Sequence, residues 1–385
     1  MIYGSVEFMD IPWETVIKEF RKRLGARKYN TLGEYAAKFL SFLTDDKTVS
    51  PSEAQRAVVV QGAVSEYQAI EHAARRAITE KIQAESNVRE NFCRAAIDKA
   101  VRTRFGELTG AERIPGLPRD FEKDFRNAYR KTIGELVQRT FAPQALAREC
   151  LNMLRQIPEV LFSREAWRDD TRSGVVIVGF GDKEIFPQIR ACVCDAVVAG
   201  HLRCRMDPKQ GISRNLGAII RSFAQGEMVF RFMEGIDPAY LEFVHKMVRG
   251  MVEGCFNISV LDGLKLSVKK KAGMQKKLGE EAQSFLEQVD KGLKAKSEEY
   301  AGPIMKVVGI LPKDELAAMA ESLVSLTSFK RKVTMNQQET VGGPVDVAVI
   351  SKGDGFIGIK RKHYFPPDLN PDFVTRKYMR EDSDG

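Results

Sequence analysis

Residues 345–359 constrain the fold of this chain more than any other segment, because they describe a β-hairpin. Residues 345–350 alternate valine with other side chains at a period of two, which is typical of a half-buried strand. The Gly353-Asp354-Gly355 triplet that follows can adopt the positive φ angles of a tight turn. Residues 356–359 then offer Phe and Ile side chains for the returning strand. An antiparallel pair near the C-terminus is therefore predicted.

A pair of glycines, Gly342-Gly343, stands just before this hairpin. Because it has no Cβ, the pair lets the backbone adopt angles that other residues cannot. Such a backbone suits close approach to a ligand or to another chain. A simple turn is the plainer alternative, and the pair alone does not decide between the two.

The composition predicts a folded protein outside the membrane. The chain has 385 residues, of which 43% are hydrophobic, enough for one large domain or two to three ordinary ones. No apolar run approaches the ~20 residues that cross a bilayer, and the first residues resemble neither a secretory signal nor a transit peptide. The six cysteines are scattered without the rhythm of a disulfide scaffold, so we expect reduced thiols and a cytoplasmic location.

The net charge of +8 raises the question of nucleic acid, but 60 basic and 52 acidic residues are mixed along most of the chain. The basic excess is concentrated in residues 269–296, 330–332 and 360–362. Glutamates interrupt the first of these segments, which favours a solvated helix face over a nucleic-acid groove. Nucleic-acid binding through the basic helices is therefore the weaker alternative.

The first fifty residues predict two amphipathic helices. Apolar residues recur at helical spacing from residue 13 to residue 24, with Asp10 as the expected N-cap and Gly25 just beyond the end. Thr31 is expected to cap the second helix. The opening residues 1–5 contain three apolar residues and a turn, too few for a stable strand beside the usual ~5 residues.

A long helical region follows, in which few strand signals occur before residue 173. Ser50 can cap the first of its helices, Pro51 fits the first turn, and Glu53 can close a capping box. Charged, alanine-rich segments at 52–104 and 119–141 are predicted to be helical. Their charge density is normal for exposed helix faces.

From residue 173 the pattern changes to strands. A buried β-run at 175–181 ends in glycine, and strands are predicted at 186–194 and 202–206. Further helices are predicted after Gln225-Gly226, at residues 230–251, 265–299 and 316–326. The fold class is α+β, with the strands in an antiparallel meander and the helices packed against it.

The order of these elements resembles a proteasome β-type subunit. Gly4-Ser5 precedes a helix, the strand at 175–181 leads into a hairpin, Gln225-Gly226 precedes another helix, and Gly342-Gly343-Pro344 precedes a strand. The chain is similar to the N-terminal-nucleophile (Ntn) hydrolase superfamily, in particular to uncharacterised bacterial proteins related to proteasome and HslV-like peptidases. The resemblance covers about half of the chain in three separated blocks.

The resemblance implies a four-layer αββα sandwich with an incomplete N-terminal part and large helical insertions. Core segments would be 1–48, 172–262 and 303–365, the insertions 50–170 and 264–301, and the tail 366–385. It also implies a homo-oligomer that acts on a peptide or amide substrate without a cofactor.

The resemblance further implies amide hydrolysis by an amino-terminal Thr, Ser or Cys whose own α-amine acts as the base. A glycine N–H at the end of a neighbouring strand would stabilise the oxyanion, and Gly4 matches that glycine. The active-site wall would consist of Gly4, Ser5, Gly226, Gly342 and Gly343.

Several residues depart from the family pattern. Met1 is followed by Ile2 rather than by a nucleophile, and the strands and lysine expected before Gly4 do not occur in the sequence. Gln338 and Val341 stand where the family has Asp and Ser. We therefore expect the nucleophile upstream and this chain to be inactive. The competing class is a non-catalytic binding or assembly protein with the same fold.

A metal site is the rival prediction for the strand region. Cys192 and Cys194 are two residues apart, which places them on one face of a strand, and His201 and Cys204 lie on the returning strand. The spacing matches no common zinc pattern, so thiols that act as small buried hydrophobes are the favoured alternative. The other histidines have no partners in sequence that define a catalytic triad.

Overall fold

The structure is a computed structural model of the chain. It describes residues 1–84, 90–141, 146–208, 210–214, 216–255, 268–333, 345–361 and 369–372. The contacts within the chain form two compact units, Met1–Gly211 and Ile212–Gly385, and each is described here by itself. Both combine helices with small antiparallel sheets, which confirms the predicted α+β class at that level.

In the described part of the first unit there are six helices and the larger sheet. Its elements in chain order are β1 Ile2–Gly4, β2 Glu7–Phe8, β3 Ile11–Pro12, α1 Trp13–Leu24, α2 Leu32–Asp45, α3 Ser52–Ala84, α4 Glu90–Gly110, α5 Phe121–Phe141, α6 Arg148–Ser163, β4 Ser173–Gly179, β5 Gln188–Val198, β6 His201–Met206 and β7 Gln210–Gly211. The sheet has the order β1-β4-β5-β6, with β7 also paired to β5, and every pairing is antiparallel. The predicted strands after residue 173 are thus present.

The expectation that residues 1–5 are too short for a stable strand is wrong. β1 pairs with β4 in the register Ile2 to Val175 and Gly4 to Ser173. The ring of Tyr3 covers Gly174, where a Cβ would lie only 1.9 Å from a ring carbon. A short strand persists here because a long, buried neighbour provides the hydrogen bonds and the packing.

Two of the predicted helix caps are confirmed and two are wrong. The Thr31 hydroxyl accepts from the backbone N–H of Glu34 at the start of α2, and Gly25 ends α1. The N-cap of α1 is Pro12, however, because Asp10 lies in the β2–β3 turn. Ser50 does not cap α3, since its hydroxyl donates to the Thr44 carbonyl at 3.0 Å and closes the turn after α2.

The four helices α3 to α6 share one hydrophobic core with the sheet. It contains several large aromatic side chains, among them Tyr67, Phe121, Phe125, Phe141 and Phe162, each at most 2% exposed. The Tyr67 hydroxyl donates to the Leu154 carbonyl of α6 at 2.9 Å, which satisfies the polar end of a buried ring. The helices predicted as an insertion therefore pack with the strands rather than apart from them.

A buried ion pair ties β5 and β6 to the end of α6. Arg203 and Asp195 form a charged hydrogen bond, and their side chains are 1% and 3% exposed. The Arg203 guanidinium also donates to the carbonyls of Phe162, Leu161 and Arg164. Those carbonyls belong to the last turn of a helix and its C-cap, where no intrahelical donor remains. One arginine thus neutralises a buried carboxylate and caps α6.

The second unit is mainly helical. Its elements are α7 Glu227–Glu234, α8 Pro238–Cys255, α9 Val268–Val308, α10 Lys313–Val333, β8 Val347–Ser351 and β9 Gly355–Lys360. The predicted hairpin is confirmed, with Ser351 opposite Gly355 and Gly355 at a φ of 72°. The single helix predicted at 230–251 is two helices, because Gly235 ends α7 in the left-handed conformation.

No helix in the described ranges is both long enough and apolar enough to span a bilayer.

Candidate active site

The corner formed by Gly4 and Ser5 lies at the end of β1, where the sequence resemblance predicts an active-site wall. Gly4 has a φ of 88°, and a Cβ on it would lie 2.4 Å from the Arg172 carbonyl oxygen. Only glycine fits this position without strain, because both the angle and the space exclude a side chain. The backbone N–H of Ser5 then donates to the same Arg172 carbonyl at 2.9 Å, which fixes the corner against the start of β4.

The hydrogen-bond alternation of the β1–β4 ladder fixes the direction of the Gly4 N–H. Met1 and Val176 exchange hydrogen bonds, and Ser5 donates to Arg172. Hydrogen-bonded and non-hydrogen-bonded pairs alternate in an antiparallel ladder, so Gly4, opposite Ser173, occupies a non-hydrogen-bonded pair. Its N–H and C=O are consequently directed away from β4, toward the far edge of β1. Within the described residues no strand pairs with that edge.

The buried hydroxyl of Ser173 connects the corner to α1 through two hydrogen bonds. Ser173 is fully buried and accepts a hydrogen bond from the Trp13 indole N–H at 2.9 Å. Its own hydroxyl donates to the Ser5 carbonyl at 3.4 Å. The indole at the start of α1 therefore positions the backbone of the corner through one serine. The Ser5 side chain accepts from the Glu7 N–H at 3.3 Å, which closes a local turn.

Two strained residues follow the corner in the β2–β3 turn. Met9 and Asp10 have φ angles of 50° and 65°, values that cost a non-glycine residue roughly 1–2 kcal/mol each. The turn persists because Phe8 packs on Trp13 with ring centroids 5.0 Å apart, and because the Met9 sulfur accepts from the Val197 N–H at 3.4 Å. Strain of this kind is concentrated at functional sites in many proteins.

The α-amino group of Met1 does not face the corner. It donates to the Val176 carbonyl at 2.8 Å, and burial lowers its pKa. It thus continues the β1–β4 ladder instead of standing beside the Gly4 N–H.

The remaining residues of the predicted wall belong to the second unit or lie outside the described residues. Gly226 belongs to the second unit, where it is the N-cap of α7, and a Cβ on it would lie 2.2 Å from the Ser222 hydroxyl oxygen. Gly342 and Gly343 lie outside the described residues. Gly4 and Ser5 are therefore the members of the wall whose common geometry the structure establishes.

Of the four predicted metal ligands, the three cysteines lie together, whereas His201 has another partner. His201 contacts Asp124 of α5 instead, with 3.0 Å between Nε2 and the carboxylate oxygen Oδ2. Cys194 is directly opposite Cys204, and Cys192 lies two residues along the same strand, so the three thiols share one face of the sheet. Among the described residues no group of three or more His, Cys, Asp or Glu side chains could hold a metal ion.

The three thiols interact with one another inside the core. Hydrogen bonds from Cys194 and Cys204 lower the pKa of Cys192. The same hydrogen bonds, together with burial, raise the pKa values of Cys194 and Cys204. All three side chains are less than 9% exposed, so they act in this structure as small core residues, the favoured alternative in the sequence.

The sequence did not reveal the residues that hold the corner. Ser173 and Trp13 are 160 positions apart, and no local pattern joins them. A usable signal did exist for the buried ion pair, because Asp195 is the one charged residue in the apolar run 191–198 and Arg203 lies between Leu202 and Cys204. Charges at such positions are rarely buried unless they are paired.

Comparison of the chain with models of known protein families, with curated proteins and with solved structures found no match.

Proposed function

We propose that this chain has an Ntn-hydrolase fold and that, together with a suitable nucleophile, it forms a cytoplasmic amidohydrolase or peptidase. The observation that supports this proposal is the Gly4 N–H, which the β1–β4 ladder directs toward the open edge of β1. A fixed backbone donor of this kind is what a developing oxyanion requires. The Trp13–Ser173–Ser5 hydrogen bonds keep it in place.

The proposed fold is the four-layer αββα sandwich. α1 and α2 cover one face of the β1-β4-β5-β6 sheet, as the Trp13–Ser173 hydrogen bond and the approach of Gly33 to the Arg190 side chain indicate. On the other face Val178, near the end of β4, is 44% exposed, whereas Val176 two residues earlier is 3% exposed. A second sheet on that face would complete the sandwich and bury such residues.

The proposed substrate is an extended peptide or amide. Within the described residues no strand pairs with the edge of β1 at Ile2 and Gly4, so the backbone groups there can pair with an extended chain by strand addition. A carbonyl placed in such a pairing would accept from the Gly4 N–H. In this mechanism the nucleophile is an amino-terminal Thr, Ser or Cys, and Met1 cannot serve in that role.

The test begins with the DNA that precedes the Met1 codon in frame. If it is open and encodes a Thr, Ser or Cys that becomes amino-terminal, the longer protein should hydrolyse fluorogenic peptides. It should also form a covalent adduct with a β-lactone at that residue, which intact-mass spectrometry detects. Alanine at that residue should abolish both signals. A nearby upstream stop codon, or hydrolysis that survives the alanine change, would refute the proposal.

A second candidate is a binding or assembly protein that keeps the same fold and forms homo-oligomers. A groove of about 630 Å³ between α3 and α4 favours it, because the groove is lined largely by alanines together with Ile70 and Phe92. Ala73→Arg would place a charge in the groove at an exposed position. If the groove mediates self-association, this change should lower the mass measured by analytical ultracentrifugation. A wild-type chain that is monomeric throughout would exclude this role.

A further inference from the structure

The hairpin of α5 and α6 carries a polar groove that the proposed hydrolase does not use. The groove has a volume of about 860 Å³, within the range of ~300–1,000 Å³ that small-molecule sites occupy. Its side chains comprise four cations, two anions and four amides, with Phe125 and Ile133 at the apolar floor. The charged and amide residues are Arg126, Arg130, Lys131, Arg155, Glu135, Glu159, Asn127, Gln138, Asn152 and Gln156.

The groove has two more cations than anions, and one of its anions, Glu159, is already paired. Arg126 contacts Glu159 across the groove at 2.6 Å. In the part of the chain that the structure describes, Arg130 and Lys131 take part in no hydrogen bond or ion pair, and Arg155 donates to Asn152 Oδ1 at 3.3 Å.

One helical turn beyond the Arg126–Glu159 pair, helix geometry places two cations on opposite sides of the groove. The short connection between α5 and α6 makes the helices antiparallel neighbours. A step of four residues forward from Arg126 therefore corresponds to a step of four residues back from Glu159. This step brings Arg130 opposite Arg155, and both line the groove. Like charges in such positions repel each other, and an anion between them removes that repulsion.

The groove has room for such an anion. Gly134 lies one turn beyond Arg130, and nothing approaches within 4 Å of the place where its Cβ would be. Guanidinium groups bind phosphate oxygens through paired hydrogen bonds, and asparagine and glutamine amides can add further donors. Phosphate fits this donor set because it presents several acceptor oxygens and more than one negative charge.

We propose that this groove is a binding site for a soluble, phosphate-bearing small molecule such as a nucleotide. Its phosphate group lies between Arg130 and Arg155, with Lys131 beside them. The site belongs to the first unit alone and does not depend on the proposed hydrolysis, so either proposal can fail without the other.

The test is calorimetric titration of the full chain with pyrophosphate and with ATP at low salt. We expect saturable binding of one equivalent, and an affinity at least about 10-fold lower in Arg130→Gln and in Arg155→Gln, since each removes a charged hydrogen bond. Arg139→Gln is the matched control, because Arg139 is an exposed cation on the same helix outside the groove. Its affinity should stay within about 2-fold of the wild type.

Thermal melting separates ligand binding from a structural role. Without ligand, Arg130→Gln should melt at or above the wild-type temperature, because it removes one of the positive charges that line the groove. With ATP, the wild type should gain stability that this variant does not gain. The proposal fails if neither pyrophosphate nor ATP binds, or if Arg139→Gln loses as much affinity as Arg130→Gln. It also fails if single-stranded RNA binds while both small ligands do not.

Discussion

Replacement of Arg203 by methionine tests the central packing argument of the first unit. Methionine approximates the length of the arginine stem but leaves the Asp195 carboxylate buried without its cation. Removal of one partner of a buried pair costs about 3–5 kcal/mol. Because each kcal/mol lowers the Tm of a domain of this size by about 2–4 °C, the Tm should fall by roughly 6–20 °C.

The double variant Asp195→Asn/Arg203→Met isolates the charge from the packing. It removes the buried charge as well as the guanidinium, so it should recover a large part of the lost free energy of unfolding. Urea denaturation followed by the fluorescence of Trp167, whose ring lies 5.1 Å from the Arg203 guanidinium carbon, measures each variant. Arg205→Met is the control, because Arg205 lies on the same strand, is 45% exposed and pairs with Glu165. This control change should lower the free energy of unfolding by less than about 1 kcal/mol.

The pH dependence of the stability difference between wild type and Arg203→Met provides an independent test. Burial raises the pKa of Asp195 and lowers that of Arg203, although the two groups attract each other. In Arg203→Met the carboxyl loses that attraction, so its pKa should rise further. A native pKa above the unfolded value means that the group favours folding at low pH and loses that contribution as the pH rises through the native pKa. The difference in free energy of unfolding between wild type and Arg203→Met should therefore become smaller as the pH falls from about 8 to about 5. A gap below 1 kcal/mol at neutral pH, or one that widens on acidification, would refute the reasoning.

Three further predictions concern the corner and the thiols. In urea denaturation, Gly4→Ala should lower the free energy of unfolding by about 1 kcal/mol or more beyond the loss in Gly200→Ala. Both glycines have a positive φ, but only at Gly4 would a Cβ meet a backbone oxygen. Equal losses in the two variants would contradict this prediction. Ser173→Ala should lower the free energy of unfolding by about 1–3 kcal/mol, since it leaves the Trp13 indole N–H buried without its acceptor. An unchanged urea midpoint would contradict the stabilising role of the Trp13–Ser173–Ser5 hydrogen bonds. Among the five cysteines whose surroundings are described, Cys93 should be alkylated first by iodoacetamide in the native protein, because the other four are buried; earlier labelling of a buried thiol, mapped by peptide mass spectrometry, would contradict the core packing.

Elements whose signals are local could be predicted from the residues that form them. The β8–β9 hairpin followed from the valine alternation and from Gly355, whose φ of 72° the turn requires. The Thr31 cap and the end of α1 at Gly25 also followed from residues within one helical turn of each other. Such signals act through neighbouring backbone groups, so the residues on either side are sufficient to read them.

Features that depend on distant partners are set by tertiary packing and could not be predicted from local sequence. β1 exists because β4 provides its hydrogen bonds, and the Met1 amine and the Val176 carbonyl are 175 positions apart. Ser50 looked like a helix cap, yet a nearby turn offered its hydroxyl two carbonyl acceptors. The polar groove of the α5–α6 hairpin likewise depends on which residues lie opposite each other on the two helices. Periodicity fixes the face of an element, whereas the partner of that face is set by the packing of the whole unit.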